Sequence, residues 1–322
     1  MKGPSTEIIS VVVVTAGIND YLKSCLDSLK DQSYSPLEII VIDNSLNNAF
    51  AQGIISSYPD IKIYSSSANL FYCRGLNKGI DAASGEFILC LNDDVALDAL
   101  FIDKSLNAFW LDSKIGLVGG KILRRDRQIL DTTALSLSLF RTAKDRGYGL
   151  KDKGQFEKAG FIFGVNGAVT FYRKEMLDQI KINSEYFDSD YRFFYEDLDI
   201  SWRANLFGWK AYYTPEAIAY HVRGASVRAP FGINKACARR YLNEELEADL
   251  IKNRYLTIIK NESGTGFLLH LPFMALYDLA VWAYILFFKP QAIKNIFSRL
   301  KYIKPAFKKR KMLAQMKLLY RK

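Results

Sequence analysis

Asp93 and Asp94 stand side by side at the end of an apolar run, Glu86-Phe87-Ile88-Leu89-Cys90-Leu91-Asn92. Adjacent carboxylates repel, and removing either from water is costly. The pair therefore calls for a positive partner. A second pair, Glu196-Asp197, opens a helical stretch directly after Phe193-Phe194-Tyr195. An apolar wall raises a carboxylate's pKa, which suits Asp197 as a general base. The plainer reading is that both acids complement a helix dipole. His221 and His270 are the two histidines. His221 ends a strand-like run and precedes Arg223-Gly224; a lone histidine is more often structural than a ligand. Gly164 and Gly167, in FIFGVNGAVTFYRKEML, allow close backbone approach to a ligand or form an ordinary turn.

Strands and helices must bring these groups together. Residues 7–15, EIISVVVVT, read as a strand buried on both faces. Asn19-Asp20 then cap a helix with Leu22, Cys25, Leu26 and Leu29 along one stripe. LEIIVIDNS is a second buried strand, ending in Asp43-Asn44-Ser45. A helix near 47–58, a strand at 61–64, a helix near 74–83 and a strand at 86–91 follow. This alternation predicts an α/β fold with a mostly parallel sheet and right-handed crossovers. Ligands of such sheets sit at the carboxyl ends of the strands. Thr15, Asp43 and Asn92-Asp93-Asp94 all fall there, which favours a nucleotide-type pocket. A helix near 98–111 and a strand at 115–118 come next, then a polar stretch, 124–160, that reads as a flexible flap. A helix from about Glu196 to Phe207 stops at Gly208, and Glu196, Asp199 and Arg203 are placed to pair on one of its faces.

The chain has 322 residues, 49% hydrophobic, 24% charged and 14% aromatic, with a net charge of +10. Residues 289–322 hold twelve of the 44 Lys and Arg and none of the 34 Asp and Glu. The remainder, with 32 basic against 34 acidic residues, is close to neutral. This is a near-neutral protein with a basic tail suited to anionic lipid or nucleic acid. Cys25, Cys73, Cys90 and Cys237 lack CxxC spacing and read as buried free thiols of a reducing compartment. The short run Ile8–Val14 reads as a first strand, not a signal peptide.

Taken in order, SVVVVTAG, SLKDQSYSPLEIIVIDNS, NLFYCRGLNKGIDAASGEFILCLNDD, GAVTFYRKEML, FFYEDLDISWRANLFGWK and AYHVRGAS resemble the inverting glycosyltransferases of family 2, with the GT-A fold, and most closely the bacterial rhamnosyltransferase branch. The likeness covers residues 7–260. It implies that Asp94 helps bind Mg²⁺ or Mn²⁺ on the donor diphosphate, and that His221 reaches that metal or the diphosphate. It places Asp93 beside the ribose or the metal shell, Asp43 on the nucleobase, Thr15 near the nucleoside, and Arg74 and Gly167 along the donor site. It assigns Asp197 as catalytic base. The family's commoner acidic motif has proline or alanine where Asp93 stands, and its usual first-loop Asn-Arg or Tyr-Asn pair is replaced by Ala16-Gly17-Ile18-Asn19. The QxxRW motif of processive synthases is missing, so one or few sugars per acceptor are expected.

Residues 267–288, FLLHLPFMALYDLAVWAYILFF, are long enough to span a bilayer but carry Pro272 and Asp278. A central Asp costs about 2.5–3.5 kcal/mol on insertion scales. A single span would also separate a cytoplasmic catalytic domain from a basic tail that should stay cytoplasmic. His270, Tyr277 and Tyr284 recur every seven residues, so a polar stripe exists. The reading is a helix in or dipping into the interface, with the basic tail on anionic headgroups. A buried helix packed on the catalytic domain is the alternative.

The division is then a catalytic domain, 1–260, and a membrane-association region, 261–322, at the cytoplasmic face of a bacterial inner membrane. The expected function is transfer of one sugar, L-rhamnose from dTDP-L-rhamnose foremost, to a polyprenyl-diphosphate-linked saccharide in O-antigen-like polysaccharide synthesis. Galactofuranose, glucose and N-acetylhexosamine donors remain alternatives. Expected partners are the nucleotide-sugar, the lipid-linked acceptor and anionic inner-membrane lipids, without nucleic acid; a homodimer is left open. A nucleotidyltransferase would want a Gly-rich basic loop after the first strand, which Thr15–Asp20 lacks. A non-catalytic scaffold predicts loss of a catalytic carboxylate, and both Asp94 and Asp197 are present.

Overall fold

The apolar runs become strands, and the computed structural model describes residues 7–47, 49–222 and 242–320. The first part of the chain forms β1 (Ile9–Thr15), α1 (Asp20–Lys30), β2 (Leu37–Asp43), α2 (Phe50–Ile55), β3 (Lys62–Ser65), α3 (Phe71–Asp81), β4 (Phe87–Asn92), β5 (Val95–Leu97) and α4 (Phe101–Ala108). Next come β6 (Ile115–Arg124), β7 (Leu130–Thr132), β8 (Leu135–Leu137), β9 (Ala143–Asp145), β10 (Gly160–Ile162), β11 (Val169–Arg173), α5 (Lys174–Ile180), α6 (Glu196–Leu206) and β12 (Lys210–His221). The carboxyl-terminal part is helical: α7 (Glu244–Asn261), α8 (Gly264–Phe288), α9 (Ala292–Ser298) and α10 (Ile303–Leu319).

Among the described residues one sheet runs β10-β12-β6-β11-β4-β1-β2-β3, with β5 on β12 and β7 on β6. β1 lies parallel between β2 and β4, setting Thr15 beside Asp43 and Val14 beside Asn92. β11 is inserted antiparallel between β4 and β6, and β12 runs parallel to β6. The continuous apolar character of β1 follows from burial on both faces. Ile9, Val11 and Val13 pack with Leu22, Cys25, Leu26, Phe101 and Ile102 on one side. Val12 and Val14 pack with Cys73, Leu76, Met176 and Leu198 on the other. Cys25, Cys73 and Cys90 are buried free thiols, as expected; Cys237 lies outside the described residues.

The stretch 124–160 departs from the expected flap. It holds β7 on the main sheet and a β8–β9 hairpin, because β6 runs on past its pairing with β11 and leaves Ile122 and Leu123 to pair with Leu130–Thr132. The expected Glu196–Asp199–Arg203 face also differs. Asp199 and Arg203 form a buried ion pair, 3.0 Å, that Lys260 joins at 2.9 Å, and Glu196 takes no part.

Only Met274 and Ile285 of α8 are buried among the described residues. Leu279 is 72% exposed and Phe287 81%. Asp278 does not face outward alone: it pairs with the buried Arg254 of α7, whose guanidinium also lies over the Tyr277 ring. The basic tail is partly inside the fold. Lys309 pairs with Asp188 and, at 2.7 Å, with Asp190, while Arg299 reaches Asp249 at 3.1 Å. Lys294, Lys301, Lys304, Lys308 and Lys311 remain exposed.

Candidate active site

Strand termini collect the first acidic centre. The Thr15 hydroxyl donates to Asp93 Oδ2 at 2.6 Å. Burial raises the Asp93 pKa; the Thr15 bond opposes this and neighbouring Asp94 adds to it. Asp94 Oδ1 lies 3.2 Å from His221 Nε2, and His221 Nδ1 lies 2.8 Å from Asp131 Oδ2. The main chain fixes this approach: Val222 N–H donates to the Asp94 carbonyl, 3.0 Å, and His221 pairs with Val95. Burial works against a charged imidazole, but the two carboxylates outweigh it and lift His221 to about 9. The positive partner that the acidic pair required is thus His221. Among the described residues no three His, Cys, Asp or Glu side chains converge as a metal cage. Asp94 offers one donor and His221, once Nε2 gives up its proton, a second, which suits a cation that takes its other ligands from diphosphate oxygens and water. Arg223 and Gly224 lie outside the described residues.

The second centre is built differently. Phe194 and Tyr195 both adopt left-handed backbone conformations, φ 69° and 68°, directly before Glu196. Such residues cost on the order of 1–3 kcal/mol each and persist only where the surroundings hold them. Here Asn253 of α7 donates to the Phe194 carbonyl at 2.9 Å. The turn aims the start of α6 at the strand ends. Asp197 Oδ2 accepts the Gly167 N–H at 3.0 Å and Oδ1 accepts the Leu198 N–H at 2.7 Å. Burial raises the Asp197 pKa; the Gly167 bond opposes this, and the charge of Asp145 adds to it. Burial, then repulsion from Asp197, raises Glu196 as well, and Glu196 Oε2 is buried without a hydrogen-bond partner. No side-chain cation pairs with either acid among the described residues. The dipole reading accounts for neither the burial nor the orphan oxygen.

A short chain of hydrogen bonds joins the two centres. Tyr72 donates its hydroxyl within reach of Asn92 Oδ1, 2.7 Å, and the Gly167 carbonyl, 3.0 Å. Asn92 N–H donates to the Ala168 carbonyl at 2.9 Å. The antiparallel insertion of β11 beside β4 thus carries Gly167 to the acidic pair. A Cβ on Gly167 would stand 3.3 Å from Asp197 Cβ, so its bareness admits the carboxylate. Gly164 has a packing role instead, since a Cβ there would fall 2.5 Å from Ser201.

Asp43 is buried at the end of β2, where its carboxylate accepts Ser65 Oγ at 2.9 Å and Ser45 N–H at 2.7 Å. Arg74 is exposed on α3 and pairs with no carboxylate among the described residues. Two acids escaped sequence reasoning. Asp131 supports His221 from β7, and Asp145, at the end of β9, accepts from Asn166 at 2.9 Å and repels Asp197. The one available signal for Asp131 was its position between apolar Leu130 and Ala134-Leu135.

A family model described as "Glycosyltransferase like family 2" matches residues 4–243. The poly-beta-1,6-N-acetyl-D-glucosamine synthase of Staphylococcus epidermidis is 25% identical over 216 residues, 66% of this chain and 50% of that protein. The N-acetylglucosaminyl-diphospho-decaprenol L-rhamnosyltransferase of Mycobacterium tuberculosis is 24% identical over 250 residues, 69% of this chain and 78% of that protein. The chain spans about half the length of the synthase it matches. Among solved structures, GalNAc-T7 with UDP, GalNAc and Mn²⁺ superposes with a TM-score of 0.59 at 13% identity, covering 80% of this chain and 48% of that one. The mannosyltransferase PcManGT from Pyrobaculum calidifontis, with GDP-Man and Mn²⁺, gives 0.53 at 15% identity, covering 97% and 81%. These structures share the fold.

Proposed function

The chain belongs to glycosyltransferase-like family 2 and has the GT-A fold, and from that membership we propose that it is an inverting glycosyltransferase that moves one sugar from a nucleotide-sugar to a lipid-linked saccharide. The observation that carries this reading is the pairing of two unlike acidic centres, Asp94–His221 and Asp197, linked through Tyr72 and Gly167. Asp197 takes the proton from an acceptor hydroxyl, and its raised pKa suits that work. The freed oxygen attacks the anomeric carbon from the face opposite the nucleotide, so the configuration inverts. A divalent cation, Mg²⁺ or Mn²⁺, held by Asp94 and His221 would neutralise the departing diphosphate. Asp43 and Thr15 face the nucleoside, Asp93 borders the ribose, and the exposed Arg74 is free to meet the diphosphate.

The donor is dTDP-L-rhamnose and the acceptor a polyprenyl-diphosphate-linked saccharide. The rhamnosyltransferase relative, matched over most of its own length, supports both choices. Residues 1–260 act as the catalytic part and 261–322 as the membrane-facing part. The exposed apolar side chains of α8, with Phe297, Leu300 and Phe307 beside the exposed lysines, suit an interfacial seat on anionic lipid at the cytoplasmic face. Product synthesis there would feed a cell-surface polysaccharide.

The test is nucleoside diphosphate release by purified full chain with Mg²⁺ or Mn²⁺, across a panel of sugar nucleotides, with lipid-linked saccharide extract as acceptor. Turnover of dTDP-L-rhamnose is expected. Turnover of another donor alone overturns the sugar, and turnover with soluble saccharides alone overturns the acceptor.

A further inference from the structure

His221 is the last residue of β12 and is only 6% exposed. Its two ring nitrogens meet two carboxylates on opposite sides, Asp94 at Nε2 and Asp131 at Nδ1. The Asp131 side chain has no solvent exposure. It stands in the middle of β7, which pairs with β6, the strand that also pairs with β12. A carboxylate drawn fully from water is costly unless a specific partner holds it. An anion at Nδ1 fixes a proton on that nitrogen, sets the ring plane and leaves Nε2 as the atom that faces the site.

We propose that Asp131 is a positioning residue, which keeps the proton on His221 Nδ1 so that Nε2, on releasing its own proton to solvent, joins Asp94 in accepting a divalent cation. The proposal rests on the reading of Asp94 and His221 as a cation site. It gives residues 124–160 a role: the β7 segment supplies the outer support of a group presented by β12.

Two measurements on the full chain test it. The first is Mn²⁺ affinity in the presence of a nucleoside diphosphate, read from the free Mn²⁺ electron paramagnetic resonance signal. Asp131→Asn keeps the side-chain shape and removes the charge. It should weaken Mn²⁺ about 10- to 100-fold, the range for loss of such a supporting carboxylate. His221→Ala should weaken it at least as much. If His221→Ala weakens Mn²⁺ and Asp131→Asn does not, the positioning role falls while the cation site stands. If His221→Ala and Asp94→Ala both bind Mn²⁺ like the wild type, the cation reading itself falls. The second measurement needs no variant. With two histidines in the chain, ¹⁵N-histidine labelling leaves only His221 and His270 to assign. On addition of Cd²⁺ as a diamagnetic probe with nucleoside diphosphate, the His221 Nε2 resonance should move while Nδ1 keeps its proton. Loss of the Nδ1 proton, or metal at Nδ1, overturns the proposal.

Discussion

The Asp93–Asp94 pair and the Glu196–Asp197 pair are both adjacent carboxylates drawn from water, and the fold treats them in opposite ways. The first receives compensation. A hydroxyl serves Asp93, and an imidazole backed by a further carboxylate serves Asp94. The second receives almost none. Asp197 has two backbone N–H donors, Glu196 keeps an orphan oxygen, and Asp145 adds repulsion. A compensated pair is suited to hold charge, as a diphosphate and its cation require. An uncompensated pair is suited to take up a proton. The same dipeptide chemistry is therefore suited to two tasks, because β12 brings a histidine to one pair while the turn at Gly167 and α6 itself bring only backbone N–H groups to the other.

Substitutions can break this contrast, beginning with the compensated side. Asp94→Ala should lower turnover by about 10²-fold or more, since charge neutralisation at a diphosphate is worth several kcal/mol. Steady-state kinetics across a Mg²⁺ or Mn²⁺ titration would show the loss, and raising the cation should recover part of it as the weakened site fills. Gly167→Ala ranks next. Its Cβ would press on Asp197 Cβ at 3.3 Å and Glu196 Oε1 at 3.4 Å. Displacing a reacting group by a fraction of an ångström to an ångström costs up to about 10²-fold, and kcat should fall with donor affinity unchanged.

Smaller effects sharpen the contrast. Activity should rise with pH as Asp197 ionises, with its acid limb above the ordinary aspartate range because burial raises its pKa. Asp145→Asn removes a repelling charge, so Asp197 ionises at lower pH and the acid limb of kcat should move down. A limb that stays in place, or moves up, would remove Asp145 from the account. Thr15→Val deletes the donor to Asp93 and should push the Asp93 pKa further up. Nucleotide affinity, measured by calorimetry, should drop about tenfold or less, the net scale of one typical hydrogen bond.

Legibility in the sequence followed burial. β1, β2 and β4 were plain because strands buried on both faces read as unbroken apolar runs, and their polar ends marked the site. Asp197 and His221 were visible as residues at element boundaries. Asp131 and Asp145 were not, because three-residue strands carry too little periodicity to be told from loop, and a lone acid in a polar stretch resembles a surface residue. The tail misled in a related way. Composition made Lys309 and Arg299 look lipid-facing, whereas α7 and the loop before α6 supply Asp249, Asp188 and Asp190 to pair with them. Asp278 looked like an obstacle to membrane contact, yet Arg254 takes its charge on the protein side of α8. Pairings between distant segments of this kind leave no local pattern.

The most direct test of the contrast separates binding from turnover at Asp197. Asp197→Asn keeps the shape of the side chain and removes its capacity as a base. Nucleoside diphosphate affinity in the presence of Mn²⁺ and transfer rate would be measured on the same preparation. Wild-type affinity is expected, with a transfer rate lowered about 10²- to 10⁴-fold. Transfer that survives the substitution would contradict the assignment of Asp197 as the base. A collapse of nucleotide binding would contradict the division of work between the two acidic centres.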